Sequence, residues 1–312
     1  MEIQTTKSLY LTQPRFAHIL AQNLEGQSLV HDGIVLSDAP AAPSPWAHDI
    51  WVDVKCLQEN SINTLAKALR GLGKNWALTP CESHRRAALI QNALPKCKIP
   101  SVNFPDKPVL PNIGGWLLWQ PDLILASTHR WKKYPGGLIP FNEDKALPPN
   151  RAYLKLWEIL TLLDTRPGPG DTCLDLGASP GGWTWVLQGL GASVTAIDKA
   201  PLDPAIAKLP RVTQKIDSAF AIDPKKHEMI DWVFSDVICY PDKLYKTVIR
   251  WIDSGNCRHL VATIKLQGEP SLEVIKPFLE IPNSHVLHLG QNKNELTFVW
   301  PRNEGLLLEH IG

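Results

Sequence analysis

The chain has 312 residues, 44% of them apolar and 20% charged, with 32 Lys and Arg against 31 Asp and Glu; this is the make-up of a folded protein and excludes a disordered one. Its length exceeds one ordinary domain and suits two, each able to bury its own core. No apolar run approaches the roughly 20 residues that span a bilayer, and the start Met-Glu-Ile-Gln-Thr-Thr-Lys-Ser lacks signal-peptide order, so no membrane and a cytoplasmic location are expected.

In chain order, Ser8 to Leu11 reads as a strand and the region near Ala17 to Leu24 as a helix. A Pro-rich stretch, Ala39 to Pro45, comes next. Asp49-Ile-Trp-Val-Asp-Val54 predicts a strand, Ser61 to Leu72 a capped helix stopped by Gly73, Asn75 to Leu78 a short strand, and His84 to Leu94 a second helix. Trp116 to Trp119 and Leu123 to Ala126, joined by Gln-Pro-Asp, predict a hairpin. The sum is a small α+β domain over residues 1–147, closed by the Pro/Gly-rich linker Tyr134 to Pro149.

Beyond it the alternation is cleaner. Thr172 to Leu176, Ser193 to Asp198, Trp232 to Asp236, His259 to Lys265 and His285 to Leu289 are short apolar runs with helical segments between most of them. Such runs suit strands buried on both faces, so residues 148–312 predict an α/β domain built on a parallel sheet. Glu295 to Trp300 comes after only a short turn, which predicts an antiparallel last strand and separates the pattern from a dehydrogenase fold.

Asp175-Leu-Gly-Ala-Ser-Pro-Gly-Gly-Trp183 lies where the first of these strands ends and a helix begins. Glycines there let a cofactor approach the backbone, the role expected of Gly177, Gly181 and Gly182. The spacing is not that of a dinucleotide fingerprint. A carboxylate before the first glycine attracts a cationic amino acid group and repels a pyrophosphate, favouring S-adenosylmethionine over NAD. Asp198 ends the next strand, 23 residues after Asp175, where it can accept both hydroxyls of an adenosine ribose. Asp217 is a candidate acceptor for the adenine amino group, and equally an ordinary capping residue. The six cysteines are dispersed, without metal-ligand spacing, so no metal is expected and the thiols read as reduced and structural.

The segment from Pro148 to Trp300 resembles the FtsJ-type ribose 2′-O-methyltransferases, and within them the bacterial large-subunit rRNA 2′-O-ribose methyltransferase M family. The likeness rests on Asn150-Arg-Ala-Tyr-Leu-Lys-Leu-Trp-Glu158, Asp175 to Trp183, Pro201-Leu-Asp-Pro204, Trp232-Val-Phe-Ser-Asp236, Ile264-Lys-Leu266 and Asn294-Glu-Leu-Thr297. It implies a Rossmann-like S-adenosylmethionine domain, in which Ser179, Pro180, Trp183 and Asp236 join the cofactor contacts. It also implies a catalytic tetrad of Lys155, Asp236, Lys265 and Glu295. A ribose hydroxyl is a weak acid that needs a base as it attacks the methyl carbon. Lys265 is assigned that role, its pKa expected to be lowered by desolvation and by Lys155 while Asp236 opposes the shift.

The order of elements from Ser61 to Lys133 resembles a reduced THUMP-type RNA-binding region. Residues 1–150 carry 15 Lys and Arg against 12 Asp and Glu, the remainder 17 against 19, so the first half is the more basic. Arg85, Arg86, Arg130, Lys132 and Lys133 are the candidate phosphate contacts and Trp131 a candidate stacking surface. The expected partner is RNA, ribosomal by resemblance. Two competing readings are a non-catalytic RNA-binding or ribosome assembly factor that keeps the fold, and a methyltransferase for a base or protein side chain. Against the second, Ser235-Asp-Val-Ile-Cys-Tyr-Pro lacks the Asn/Asp-Pro-Pro-aromatic loop that holds a flipped base.

Overall fold

The structure is a computed structural model that describes residues 1–107, 110–132 and 134–301. Two units result, one from Met1 to Phe141 and the other beginning at Asn142.

The first unit opens with β1 (Ser8–Leu11), α1 (Pro14–Gln22), β2 (Ser28–His31), β3 (Ile34–Ser37) and β4 (Asp49–Val52). The run expected as one strand from Asp49 to Val54 breaks at Asp53, whose φ of +52° turns the chain. Beyond the break the chain enters a separate strand, β5 (Lys55–Gln58), in a different sheet. Next come α2 (Ile62–Leu72), β6 (Trp76–Leu78), α3 (His84–Asn92), β7 (Gly114–Gln120), β8 (Leu123–Ser127) and β9 (His129–Arg130). Five strands pair in the order β2-β3-β1-β4-β9 and four in the order β5-β8-β7-β6.

Helix α2 starts where a capping box sits. The Ser61 hydroxyl accepts from the Thr64 amide, and the Thr64 hydroxyl accepts from the Ser61 amide, so two otherwise orphan donors are satisfied for about 1 kcal/mol. Leu65, Ala66 and Leu69 of α2 and Ala87 and Ile90 of α3 pack with Trp76 and Trp116 into one core cluster. The β2–β3 hairpin turns at Asp32-Gly33, with Asp32 at φ +51°. That dipeptide is a hairpin signal in its own right.

The second unit contains α4 (Tyr153–Leu162), β10 (Thr172–Leu176), α5 (Gly182–Gly189), β11 (Ser193–Asp198), α6 (Pro204–Ala207), β12 (Val212–Ile216), β13 (Ile230–Ser235), α7 (Pro241–Ser254), β14 (Cys257–Lys265), α8 (Leu272–Leu279), β15 (His285–Leu287) and β16 (Glu295–Trp300). Its seven strands run in the order β12-β11-β10-β13-β14-β16-β15. The first five are parallel, β16 runs antiparallel to β14, and β15 antiparallel to β16. The His285 strand therefore does not belong to the parallel set, as its apolar run suggested. It is a three-residue edge strand paired to β16 through Leu287↔Thr297. Among the described residues no helix is long and apolar enough to cross a membrane.

Candidate functional site

Helix α4 is buried along eight consecutive residues, Tyr153 to Leu160, which is the pattern of a helix surrounded by protein on all sides. Two of those residues are ionic, Lys155 and Glu158, and both are paired. Their spacing of three puts them on one face of α4. Lys155 Nζ donates to Asp236 Oδ1 and Oδ2 at 2.9 and 2.8 Å and lies 2.8 Å from Glu295 Oε1. The Glu158 carboxylate accepts from the Gly290 and Gln291 amides at 2.9 and 2.8 Å, tying α4 to the segment that leads into β16.

The sheet delivers the other members. Asp236 comes directly after β13, Lys265 ends the neighbouring β14, and Glu295 begins β16 directly opposite Lys265 in the antiparallel register. Lys265 Nζ donates to Asp236 Oδ1 at 2.5 Å and to Glu295 Oε2. Each lysine thus touches both carboxylates, closing a ring of alternating charge whose formal sum is zero. Thr263, two residues before Lys265 and so on the same face of β14, donates its hydroxyl to Asp236 Oδ1 at 2.6 Å. No sequence motif singles out Thr263, although the two-residue period from Lys265 points to it.

Charges so placed shift one another. Burial pushes the Asp236 carboxyl up, but the Lys155 and Lys265 ammonium groups outweigh it and hold the group below the usual carboxylate range. Burial alone lowers Lys265, yet Asp236 and Glu295 beside it win and hold its pKa above the ordinary lysine value. This corrects the expectation that Lys265 is lowered. Two carboxylates face its amine, and their combined attraction exceeds the desolvation of a site at the rim of a cleft.

That cleft, about 410 Å³ in volume, is lined by Asn150, Ala152, Gly177, Ala178, Ser179, Gly182, Trp183, Asp198, Val237 and Ile238, with Asp236 and Lys265 at its wall. Its size suits a small ligand. Asp198 is fixed by the Ser179 amide on Oδ2 and the Ala200 amide on Oδ1, and its carboxylate has acceptor capacity beyond those two bonds. Gly177 has φ +80°, and a Cβ there would stand 2.7 Å from the Val237 Cα, so only glycine lets the two loops meet. At Gly182 a Cβ would meet Asn150 Oδ1 at 2.3 Å. Asn150 in turn accepts from the Ala152 amide, and Ala152 O accepts from Trp183 Nε1. Asn150 and Ala152 are cleft residues to which the sequence pattern assigns no role of their own.

Several expected contacts fall elsewhere. Asp175 is 0% exposed and does not line the cleft; its Oδ2 accepts from the Thr184 hydroxyl of α5 at 2.7 Å. Facing α5 across the sheet surface, it cannot greet a cationic ligand directly. Burial raises its pKa to about 7. Gly181 caps α5 and packs against Ile206, Pro180 comes after a cis peptide bond, and neither lines the cleft. Asp217 also lies outside the lining, its Oδ1 accepting from the Ser218 amide and its Oδ2 3.5 Å from Lys215 Nζ.

The basic set of the first unit departs further from expectation. Arg130 is 4% exposed, donating to Tyr134 O and Ile113 O and paired with buried Asp49, so it holds the unit together and cannot reach a phosphate. Lys132 is 2% exposed, with its amine over the Trp131 ring and its amide bound to Asp49. Arg86 donates to Pro121 O and Asn60 O. Arg85 is exposed, Trp131 is half-buried, and Lys133 lies outside the described residues. Among the described residues no group of His, Cys, Asp and Glu is arranged to hold a metal ion.

A parallel sheet with an antiparallel strand inserted beside its last parallel one, and a ligand cleft at the carboxyl ends of its central strands, defines a Rossmann-like methyltransferase fold. Residues 148–293 match the FtsJ-like methyltransferase family. The chain is similar to the Ribosomal RNA large subunit methyltransferase M of Halorhodospira halophila, 35% identical over 157 residues that make up 48% of this chain and 46% of that protein. The protein of the same name from Xylella fastidiosa is 37% identical over 168 residues, covering 51% of this chain and 47% of its own. This chain thus matches about half the length of those curated relatives. Among solved structures, Aeropyrum pernix fibrillarin with natively bound S-adenosyl-L-methionine aligns at 16% identity and a TM-score of 0.36, over 59% of this chain and 80% of that one.

Proposed function

We propose that this protein is an S-adenosylmethionine-dependent RNA methyltransferase that modifies a ribose 2′-hydroxyl, with large-subunit ribosomal RNA as its substrate. The observation that carries the reading is the closed ring of Lys155, Asp236, Lys265 and Glu295, of which Asp236 and Lys265 line a cleft that Asp198 also lines. The residues fit the cofactor: a fixed carboxylate for ribose hydroxyls, a glycine turn that leaves room for the ligand, and an indole beside it. S-adenosylmethionine, when bound, supplies an electrophilic methyl group on a sulfonium.

The protein's own residues do the rest. Asp198 accepts the hydroxyls of the adenosine ribose, and the Gly177 to Ser179 backbone borders the amino acid portion. Lys155 and Glu295 orient the incoming 2′-hydroxyl, Asp236 holds both amines in register, and Lys265 takes the hydroxyl proton as the oxygen attacks. Because Lys265 is held protonated by two carboxylates, its neutral fraction is small near neutrality and grows with pH. The log of the turnover number should therefore rise steadily with pH and still be rising at the ordinary lysine value of 10.5, above which the lysine's own pKa is held. The first unit, whose order of elements from Ser61 to Lys133 resembles a reduced THUMP-type region, is proposed to bind RNA.

The test is transfer of a labelled methyl group to rRNA from cells lacking the gene, with mass-spectrometric mapping of ribose modification. The wild-type protein should label one ribose position, and Lys265→Ala should lose activity by more than about a hundredfold. Robust labelling by the variant, or a turnover that levels off near neutral pH, rejects the assigned base. Label on a nucleobase rejects the ribose.

A further inference from the structure

The five residues between β13 and α7, Asp236-Val-Ile-Cys-Tyr240, lie outside any helix or strand, and Ile238 and Tyr240 are exposed while Asp236, Val237 and Cys239 are partly buried. Asp236, Val237 and Cys239 turn toward the protein: Val237 abuts Gly177, and the Cys239 thiol, pushed up by burial, feels the Lys243 and Lys265 amines. Ile238 and Tyr240 project outward, at 84% and 69% exposure. Two residues apart and both exposed, these two large apolar groups present apolar surface to solvent at the start of α7. Ile238 also lines the cleft, which makes the surface continuous with the place where Lys265 stands. Both side chains are largely exposed, and Tyr240, the N-cap residue of α7, makes no side-chain cap bond.

We propose that Ile238 and Tyr240 form a stacking platform for an unpaired nucleobase next to the reacting ribose. The inference rests on the RNA reading above and assigns to it a substrate contact. Two exposed apolar side chains beside a polar site favour a ligand with a flat apolar face and a charged backbone. Single-stranded RNA has both, since every base offers a π-face to an aromatic ring. Lys243 is exposed one turn into α7 and supplies positive charge for the adjoining phosphate, with its amine 3.8 Å from the centre of the Phe220 ring. Sequence-specific RNA enzymes act on splayed, unpaired segments, and a platform beside the acceptor keeps the strand open as the hydroxyl is presented.

The experiment compares wild-type protein with Tyr240→Ala, Tyr240→Phe and Ile238→Ala. A fluorescent short oligoadenylate and an abasic oligonucleotide of the same length serve as binding probes, and methyl transfer to unmodified rRNA as the kinetic one. Tyr240→Ala should weaken oligoadenylate binding and raise KM for RNA by about tenfold, with kcat and affinity for S-adenosylmethionine little changed. Ile238→Ala should weaken oligoadenylate binding in the same direction. Tyr240→Phe should behave as wild type, and binding of the abasic strand should not respond to any of these changes. Equal affinities for oligoadenylate in wild type and Tyr240→Ala overturn the platform, as does a Tyr240→Phe variant as weak as the alanine one. A wild-type dimer that Tyr240→Ala dissolves overturns it too, because the patch then serves a second copy of the chain. A wild-type protein that methylates no ribose rejects the reaction proposed above while the two binding probes still judge the platform.

Discussion

Asp175 shows how far residue type can mislead about residue role. Its position before a glycine turn suggested a ligand for a cation, yet the side chain points into the sheet–helix interface and meets Thr184. The alternation of β10 decides this: a residue facing α5 is sealed by it, whatever its charge. Sealing has an energetic signature. With the carboxyl at about 7 in the folded protein against 3.8 in an ordinary setting, the native state holds an extra proton between those values, so this residue's contribution to stability falls as pH rises across that window and is flat above it. Asp175→Asn keeps an oxygen to accept from Thr184 and never ionises. The variant should gain stability relative to wild type from about pH 4 to 7, by on the order of a few kcal/mol, since each pKa unit is worth about 1.4 kcal/mol. Thermal unfolding of both proteins across that range checks it; parallel curves would show that Asp175 stays ionised. Asp236, held low, slopes the opposite way in both proteins and cancels in the comparison.

At the scale of elements, what the chain could announce depended on how each segment is buried. β10, β11, β13 and β14 carry continuous apolar runs because both faces of a parallel strand are covered, and these were readable. β12 is an edge strand whose Thr213, Gln214 and Lys215 face solvent, and β2 is only half-buried along its length, so neither has a run to read. Likewise the tetrad's residue types were visible, but the register that sets Lys265 opposite Glu295, and with it the rise in the lysine's pKa, belongs to strand pairing. The glycine turn was legible for its flexibility and not for its neighbour, the loop after β13. Gly177→Ala should cost about 1–2 kcal/mol for a side chain at positive φ and drive a Cβ into the Val237 backbone. Titration calorimetry should find affinity for S-adenosylmethionine reduced by about tenfold. Gly189→Ala, where a Cβ would meet nothing within 4 Å, is the control and should bind as wild type. An unchanged affinity in Gly177→Ala would remove this turn from the cofactor site.

Over the second unit as a whole, the four residues proposed as the catalytic tetrad come from four elements spread between residues 155 and 295, and something must hold a helix that precedes the sheet against a strand near its far edge. Glu158 does so, from inside α4. It is 1% exposed and spends both carboxylate oxygens on the amides of Gly290 and Gln291, five and four residues before Glu295. Lys155, one turn earlier on the same face, bonds Glu295 itself. The two contacts act as a double tie: one fixes the approach to β16, the other its first residue. Glu158→Ala leaves two amide donors without an acceptor and should cost about 2–4 kcal/mol, with Glu158→Gln, which keeps one oxygen, losing roughly half of that. If the tie positions the tetrad, both variants should lower kcat for methyl transfer in that order while affinity for S-adenosylmethionine, set at β10 and β11, stays close to wild type. A fall in cofactor affinity as large as the fall in kcat would mean that Glu158 supports the fold at large and not the alignment of Glu295 with Lys265.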